Sequence, residues 1–500
     1  MWKKFKESQV WHRHENQPKK FTFFSIFKRF LILLCIWWVV FAWKYIVQYT
    51  KVAMWSLWQS TVKTVSKKLW EEMKRDDFWN VNILVVWVWW EKHQWWYLAD
   101  TIIVASRNPE LWAVSMLSIP RDLYVSWSWY AWRINWVFAR GYSKWKSVQS
   151  WAEMLTEKMK QMLWIDIPYY VIADFQWFKQ VVDTIWGIDI YVPESINDRT
   201  YPDSGIWYEP FYISVWDHHL DGETALKYAR SRHTTSDFSR SQRQQEIIKA
   251  VIQKAMTKEN LTSVSKLTEL YNTYTEMVTT NISSKEMIWM VRYIYDFKKI
   301  FSFGLNTHCT YKSFKLTDVW CFLYNGNREA FNGAAVMIPN WATAWNVSFY
   351  DYIQNFASFI FHDQKYLLES PRIVVKNAID KSYASQKWKS PTWWANKIAV
   401  KMKKYGFNLV NTENSDEPVE QTTVIVYGHT YQNTINTLKK FLPINVVMTW
   451  QVLTVEWTWE VLSWENEELQ YQEDLWYDME LLIWNDFIDY ISTTPFSYEQ

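Results

Sequence analysis

Between Leu220 and Gln245 the chain reads LDGETALKYARSRHTTSDFSRSQRQQ, which sets Arg230, Arg232, Arg240, Arg243 and Gln244 within one strand-turn-helix unit. In an extended segment Arg230 and Arg232 point the same way, and in a helix Arg240, Arg243 and Gln244 share a face. Two cationic sets can therefore converge. Arginine keeps its charge and forks five donors toward oxyanions, a geometry that suits phosphate. The plainer reading is a solvated basic face with ordinary ion pairs, but few acids stand close enough in this stretch to neutralise it.

Two aspartates extend the pattern. Asp100 opens a strand candidate (DTIIVA) and Asp122 closes another (SIPRD, 118–122), so adjacent strands can bring both acids, with Arg121, to one edge of a sheet. A carboxylate beside arginines and an anionic diphosphate is a site for Mg²⁺ (or Mn²⁺), held by one or two carboxylates plus phosphate oxygens and water. Taken singly, each aspartate serves equally as a strand-end cap. Asp237 precedes a helix in which Ser239 and Gln242 have capping-box spacing, so it is either a cap or a catalytic acid. His233 lies in a polar turn and carries no assignment. No HExxH, paired-cysteine zinc signature, Walker A or GxSxG motif occurs, which removes the common hydrolase and NTPase readings.

The elements that must position these residues alternate in type. Apolar strand candidates at 82–88, 101–105 and 114–119 precede a helix striped by Leu155, Met159, Met162 and Leu163. A strand at 169–172, a helix at 175–185 and a strand at 188–192 follow, then helices at 240–256 and 284–296. This pattern predicts an α/β body with a mixed central sheet covered by helices on both faces. A second, small α/β module is expected from Arg372, with strands at 372–378, near 408, at 424–427 and at 478–483, and helices near 396–405 and 434–441.

Length and charge bound the rest. The 500 residues allow two or three domains. The net charge of +2 makes no case for bulk nucleic-acid binding. No Lys or Arg follows Lys440, so the acidic end belongs outside any phosphate site. Residues 1–29 are basic, and the apolar run from Phe30, tolerating a snorkelling Lys44, reaches the length of a membrane span over 30–48. The positive flank keeps the N-terminus cytoplasmic and sends the remainder outside; a cleaved signal peptide is the alternative and exports it equally. In that compartment Cys309 and Cys321 either pair or stay as thiols. The expected organisation is a cytoplasmic segment (1–29), a single membrane span (30–48), a helical connector (49–78), a catalytic domain (79–362), a linker (363–371), a second domain (372–492) and a tail (493–500).

One feature of the composition is out of line: the chain has 9 Gly and 39 Trp, where ordinary glycine usage of about 7% would give roughly 35 glycines. Trp87, Trp89, Trp90, Trp95 and Trp96 surround a strand end, and Trp127, Trp129 and Trp132 interrupt a short polar loop. Such places ask for residues that tolerate positive φ. The expectation is a gene that reads UGA as glycine, written here as tryptophan.

DTI, SIPRD, RIN (133–135), the WIDIPYYV stretch from Trp164, WGIDIYVP from Trp186 and the LDGETALKYARSRH…DFSRSQRQQ block occur in order. Together they resemble the LytR-CpsA-Psr family of cell-wall glycopolymer ligases, over about residues 82–362; residues 372–491 resemble the LytR C-terminal domain. Trp87, Trp164, Trp177, Trp186 and Trp216 fall where that family tends to carry glycine. The resemblance implies a membrane-anchored phosphotransferase that moves a glycan phosphate from a polyprenyl-diphosphate carrier onto a peptidoglycan hydroxyl with Mg²⁺, pyrophosphatase activity being a side reaction. By position, Asp100 matches a metal-binding aspartate. Arg121, Arg230, Arg232, Arg240 and Gln244 match the diphosphate-binding set, with Arg133 and Arg243 in the same motifs, and Asp122 and Asp237 match acids near the reaction centre, where Arg121 also acts. Many members carry another metal aspartate just after the first strand, where this chain reads VWVWWEKHQ; Glu91 or His93 would have to substitute. That departure motivates a second reading, a protein that holds polyprenyl phosphate or wall polymer without catalysis. A transcriptional regulator is a poor third, since the basic cluster lies beyond the span and no helix-turn-helix signal occurs. A topology reporter fused beyond Arg240 is expected to report the outer side of the membrane, and a cytoplasmic signal would revive the regulator reading.

Overall fold

The computed structural model describes most residues between 73 and 486; the longer stretches outside the description are 1–72, 89–97, 137–146, 203–207, 232–236, 261–265, 271–276, 288–298, 306–321, 384–390, 450–476 and 487–500. Of the expectations above, the membrane span, most of the connector, most of the helix at 284–296, Glu91, His93, Arg232, His233 and both Cys309 and Cys321 lie outside the described residues. Among the described residues no helix is long and apolar enough to cross a membrane. The chain divides into Met1–Lys67 and Lys68–Gln500, and every described residue belongs to the second unit.

The body is built on β1 (Val81–Val88), β2 (Ala99–Asn108), β3 (Ala113–Ile119), α1 (Val148–Leu163), β4 (Tyr169–Asp174), α2 (Phe175–Thr184), β5 (Ile188–Val192), β6 (Trp216–Leu220), α3 (Gly222–Arg230), α4 (Asp237–Ala255), β7 (Val278–Thr280), β8 (Lys299–Gly304) and α5 (Asp351–His362). Six strands form one sheet in the order β7-β4-β1-β2-β3-β8. The β1/β2, β2/β3 and β4/β7 pairs are antiparallel, whereas β1/β4 and β3/β8 are parallel; the sheet is mixed, as the sequence predicts. Alternation along β1 sorts its two faces. Leu84, Val86 and Val88 enter the core that α1 and α5 cover, while Trp87 packs against the cluster formed by α2, α3, α4 and the antiparallel β5/β6 pair.

The second half adds α6 (Lys365–Glu369), β9 (Ile373–Asn377), α7 (Pro391–Lys404), β10 (Leu409–Asn414), β11 (Thr423–Tyr427), α8 (Gln432–Phe441), β12 (Asn445–Thr449) and β13 (Met479–Ile483). Its sheet runs β10-β9-β13-β11-β12, with β13 parallel to β9 and antiparallel to β11. One continuous apolar core joins this sheet to the first body. Its centre is aromatic: Phe356 of α5 meets Tyr405 edge-on at 5.1 Å between ring centroids and Phe322 at 4.4 Å. The stretch expected as a linker carries α6, which buries Tyr366 and Leu367, and the Tyr366 hydroxyl donates to the Tyr405 carbonyl. Burial raises the Tyr366 pKa well above the ordinary phenol value, so the hydroxyl stays a donor. Tyr366→Phe removes that hydrogen bond from the core and is expected to cost about 1 kcal/mol, read as a lower urea midpoint at unchanged slope; an unchanged midpoint would count against the shared core.

Candidate functional site

The β2/β3 register places Ile102 opposite Ile119, so the start of β2 and the segment leaving β3 meet at one edge. There Arg121 donates from Nη1 to Asp100 Oδ1, and its Nε stands 3.7 Å from Asp122 Oδ2. Arg133 reaches the other oxygen of Asp122 at 3.4 Å. The backbone holds this corner: Leu123 N donates to Pro120 O (3.0 Å), Asn135 N to Arg121 O (3.2 Å) and Met337 N to Asp122 O (2.9 Å). The expected convergence of Asp100, Asp122 and Arg121 is present, and Arg133 joins it.

Arg230 departs from its expected local structure. It is the last residue of helix α3, not part of an extended segment, because Asp221 caps the helix by accepting from Thr224 N at 2.8 Å and the sequence GETALKYAR has strong helix formers with an acid in the first turn. Gly222 lets that helix approach α2: a Cβ there would fall 2.3 Å from Lys179 O, and its N–H donates to Asp183 at 2.8 Å. At the far end the Arg230 guanidinium lies over the rings of Phe175 and Tyr201 and donates to Tyr201 Oη at 3.0 Å. Burial raises the Tyr201 phenol, against the opposing pull of Arg230.

The residues after Arg230 are pinned from two sides. Ser231 is buried; its hydroxyl donates to Asp198 at 2.9 Å, and its carbonyl accepts from Arg243 Nη2. Arg243 also donates from Nε to Tyr228 O at 3.0 Å. Its guanidinium is thus turned onto the carbonyl end of α3, where burial lowers its pKa and the helix dipole favours a cation. Arg240 and Gln244 are buried on the same helix. Asp237 opens α4, and its side chain, like Arg232, is outside the description.

Gln244 lines a small cavity together with Thr101, Phe175, Ala229, Trp87 and Leu226. Thr101 follows Asp100, Ala229 precedes Arg230, and Phe175 carries the Arg230 guanidinium on its ring. One apolar-walled space therefore touches all three motif segments. Sequence reasoning missed Tyr201, Asp198 and Gln245. Gln245 is buried and donates from Nε2 to Ser118 Oγ (2.7 Å) and Phe303 O (2.9 Å), fixing α4 to β3 and β8; the only trace of it in the sequence is the doubled glutamine after Arg243.

For Mg²⁺, Asp100 and Asp122 supply the right donors, since one or two carboxylates completed by phosphate oxygens and water suffice. Among the described residues no group of three His, Cys, Asp or Glu gathers. The residues fit an ion shared with a phosphate substrate better than one caged by protein alone.

Residues 50–324 match the LytR_cpsA_psr family, more than half of the chain. The polyisoprenyl-teichoic acid–peptidoglycan teichoic acid transferase TagV of Bacillus subtilis is 32% identical over 190 residues, 38% of this chain and 46% of that protein. TagT of the same species, described in the same words, is 27% identical over 210 residues, 41% of this chain and 60% of that protein. The chain thus spans about half the length of these relatives. Among solved structures, crystalline B. subtilis TagV aligns with 58% of this chain and 99% of its own at 24% identity and a TM-score of 0.41.

Replacing Gln245 with Leu removes the tie between α4 and the sheet and strands buried acceptors, at an expected cost of about 1–3 kcal/mol. Chemical denaturation checks this, and wild-type stability would show that Gln245 does not anchor the helix that carries Arg240.

Proposed function

This chain belongs to the LytR_cpsA_psr family, and from that premise we propose that it is a membrane-anchored, extracytoplasmic phosphotransferase. Its donor is a glycopolymer on a polyprenyl-diphosphate carrier and its acceptor a peptidoglycan hydroxyl. The observation that carries the reading is one apolar-walled cavity lined by Gln244, by Thr101 and Ala229, the chain neighbours of Asp100 and Arg230, and by Phe175, whose ring carries the Arg230 guanidinium. A lipid-linked diphosphate needs that pairing of an apolar slot and fixed cations. The relatives' descriptions, which name teichoic acid and peptidoglycan, support the same substrates. The N-terminal span and a LytR C-terminal-like role for residues 372–492 complete the proposal.

Phosphoryl transfer depends mainly on positioning and on neutralising the charge spread over phosphate oxygens. Arg230, which rests on Tyr201 and Phe175, and Arg240 on α4 would take the diphosphate. Arg121, paired with Asp100, would add its charge to the phosphate oxygens. Asp100 would hold Mg²⁺, which would supply further charge neutralisation when bound. Asp122 keeps Arg121 and Arg133 in place and, with Asp237, is the candidate acceptor for the proton of the attacking hydroxyl. The phosphoryl group passes to that hydroxyl, the bond to the carrier phosphate breaks, and polyprenyl phosphate leaves.

The test is transfer by purified protein from a polyprenyl-diphosphate-linked glycan to peptidoglycan with Mg²⁺. Arg230→Ala is expected to lower transfer about 10²-fold or more, the usual loss for one charge-stabilising group, with Arg230→Lys recovering part of it. Binding of the lipid without any release of polyprenyl phosphate would favour a non-catalytic carrier, and undiminished transfer by Arg230→Ala would remove the arginine assignment.

A further inference from the structure

Six non-glycine residues among those described have positive φ, and four of them are tryptophan: Trp79 (65°), Trp164 (57°), Trp186 (69°) and Trp216 (123°). In the left-handed region the Cβ of an L-residue crowds the following carbonyl, so glycine dominates there and Asn or Asp comes next. A bulky side chain in that region is a true outlier. The other two positions, Asn332 and Ser370, carry small polar side chains, in line with that rule.

Each of the four sits where a chain reversal or strand start asks for glycine. Trp164 is the C-cap of α1, with ψ 38° and its N–H donating to Lys160 O, in the geometry that ends helices on glycine. Trp186 follows the end of α2, donates its N–H to Asp183 O at 3.0 Å, and precedes Gly187, itself at φ 76°. Trp79 closes the turn from Asp76, donating its N–H to Asp76 O at 3.0 Å. Trp216 opens β6 opposite Val192.

The side chains contribute little in return. Trp79, Trp164, Trp186 and Trp216 are 65%, 71%, 71% and 70% exposed, although tryptophan is normally well buried. Their described ring contacts are surface cation–π approaches, Arg75 to Trp79 at 5.0 Å and Lys266 to Trp186 at 5.2 Å. Trp151 is the contrast, helical and 1% exposed within the core, so ordinary tryptophan positions exist in the same chain. Backbone conformation, exposure and the count of 9 Gly against 39 Trp are three separate observations pointing one way.

We propose that residues 79, 164, 186 and 216 are glycines in the native protein: the source organism reads as glycine a codon, UGA, that the sequence renders as tryptophan. This inference is independent of the transferase reading and stands or falls without it. The test is tandem mass spectrometry of proteolytic peptides from the protein purified from its own cells. Glycine is expected at all four positions, read residue by residue from the fragment ions as the tryptophan-to-glycine mass difference, and tryptophan at these positions would overturn the proposal. A second arm compares the full chain made recombinantly as written with the same chain carrying Trp79→Gly, Trp164→Gly, Trp186→Gly and Trp216→Gly. The glycine chain is expected to unfold at a higher temperature, and an equal or lower midpoint would count against the inference.

Discussion

A guanidinium cannot shed its proton at any pH a cell reaches, so a fold that concentrates several arginines must give each a fixed acceptor or aromatic face. That constraint organises this molecule. Arg121 rests on Asp100, Arg133 on Asp122, Arg230 on Tyr201 and Phe175, and Arg243 on the carbonyls of Tyr228 and Ser231. These partners come from β2, the corner after β3, the start of α2, the segment around Tyr201 and the end of α3, which is why so much of the chain must fold before the cluster can exist. The arginines differ in what holds them: Arg243 is committed to holding a helix end, whereas Arg230 rests on a phenol hydroxyl and an aromatic ring.

The mixed sheet makes this convergence possible. Antiparallel pairing of β2 with both β1 and β3 brings the start of β2 and the exit of β3 to one edge, while the parallel β1/β4 pairing delivers Phe175, at the start of α2, to the same end. Gln245, buried between α4 and the sheet, locks the helix that carries Arg240, Arg243 and Gln244. The cavity at this end of the sheet is walled by Phe175, Phe178, Leu226 and Trp87, with Gln244 its most polar lining residue.

The second half of the chain is not tethered loosely to this body. Tyr366, Phe356 and Tyr405 belong to one aromatic cluster spanning α5, α6 and the end of α7. Motion of the C-terminal sheet relative to the body would have to open that core.

The sequence by itself determined many of the element types: the short apolar runs of β1 to β3, the striped helix α1, and the alternation of strands with helices were all legible, because a strand buried on both faces is apolar throughout and a helix buried on one side carries a stripe. It also flagged Asp100, Arg121 and Asp122 as neighbours, since strand ends in adjacent strands must meet. Tertiary structure alone decided the rest. It made Arg230 a helix end, because an N-cap and good helix formers outweighed the extended reading. It turned Arg243 toward backbone carbonyls, and it recruited Tyr201 and Asp198, which stand outside any motif, and gave Gln245 its anchoring role. It also set β13 in the middle of the second sheet although it is the last described strand. Partners far apart in sequence leave no local period, so only the packed chain reveals which side chains share an acceptor.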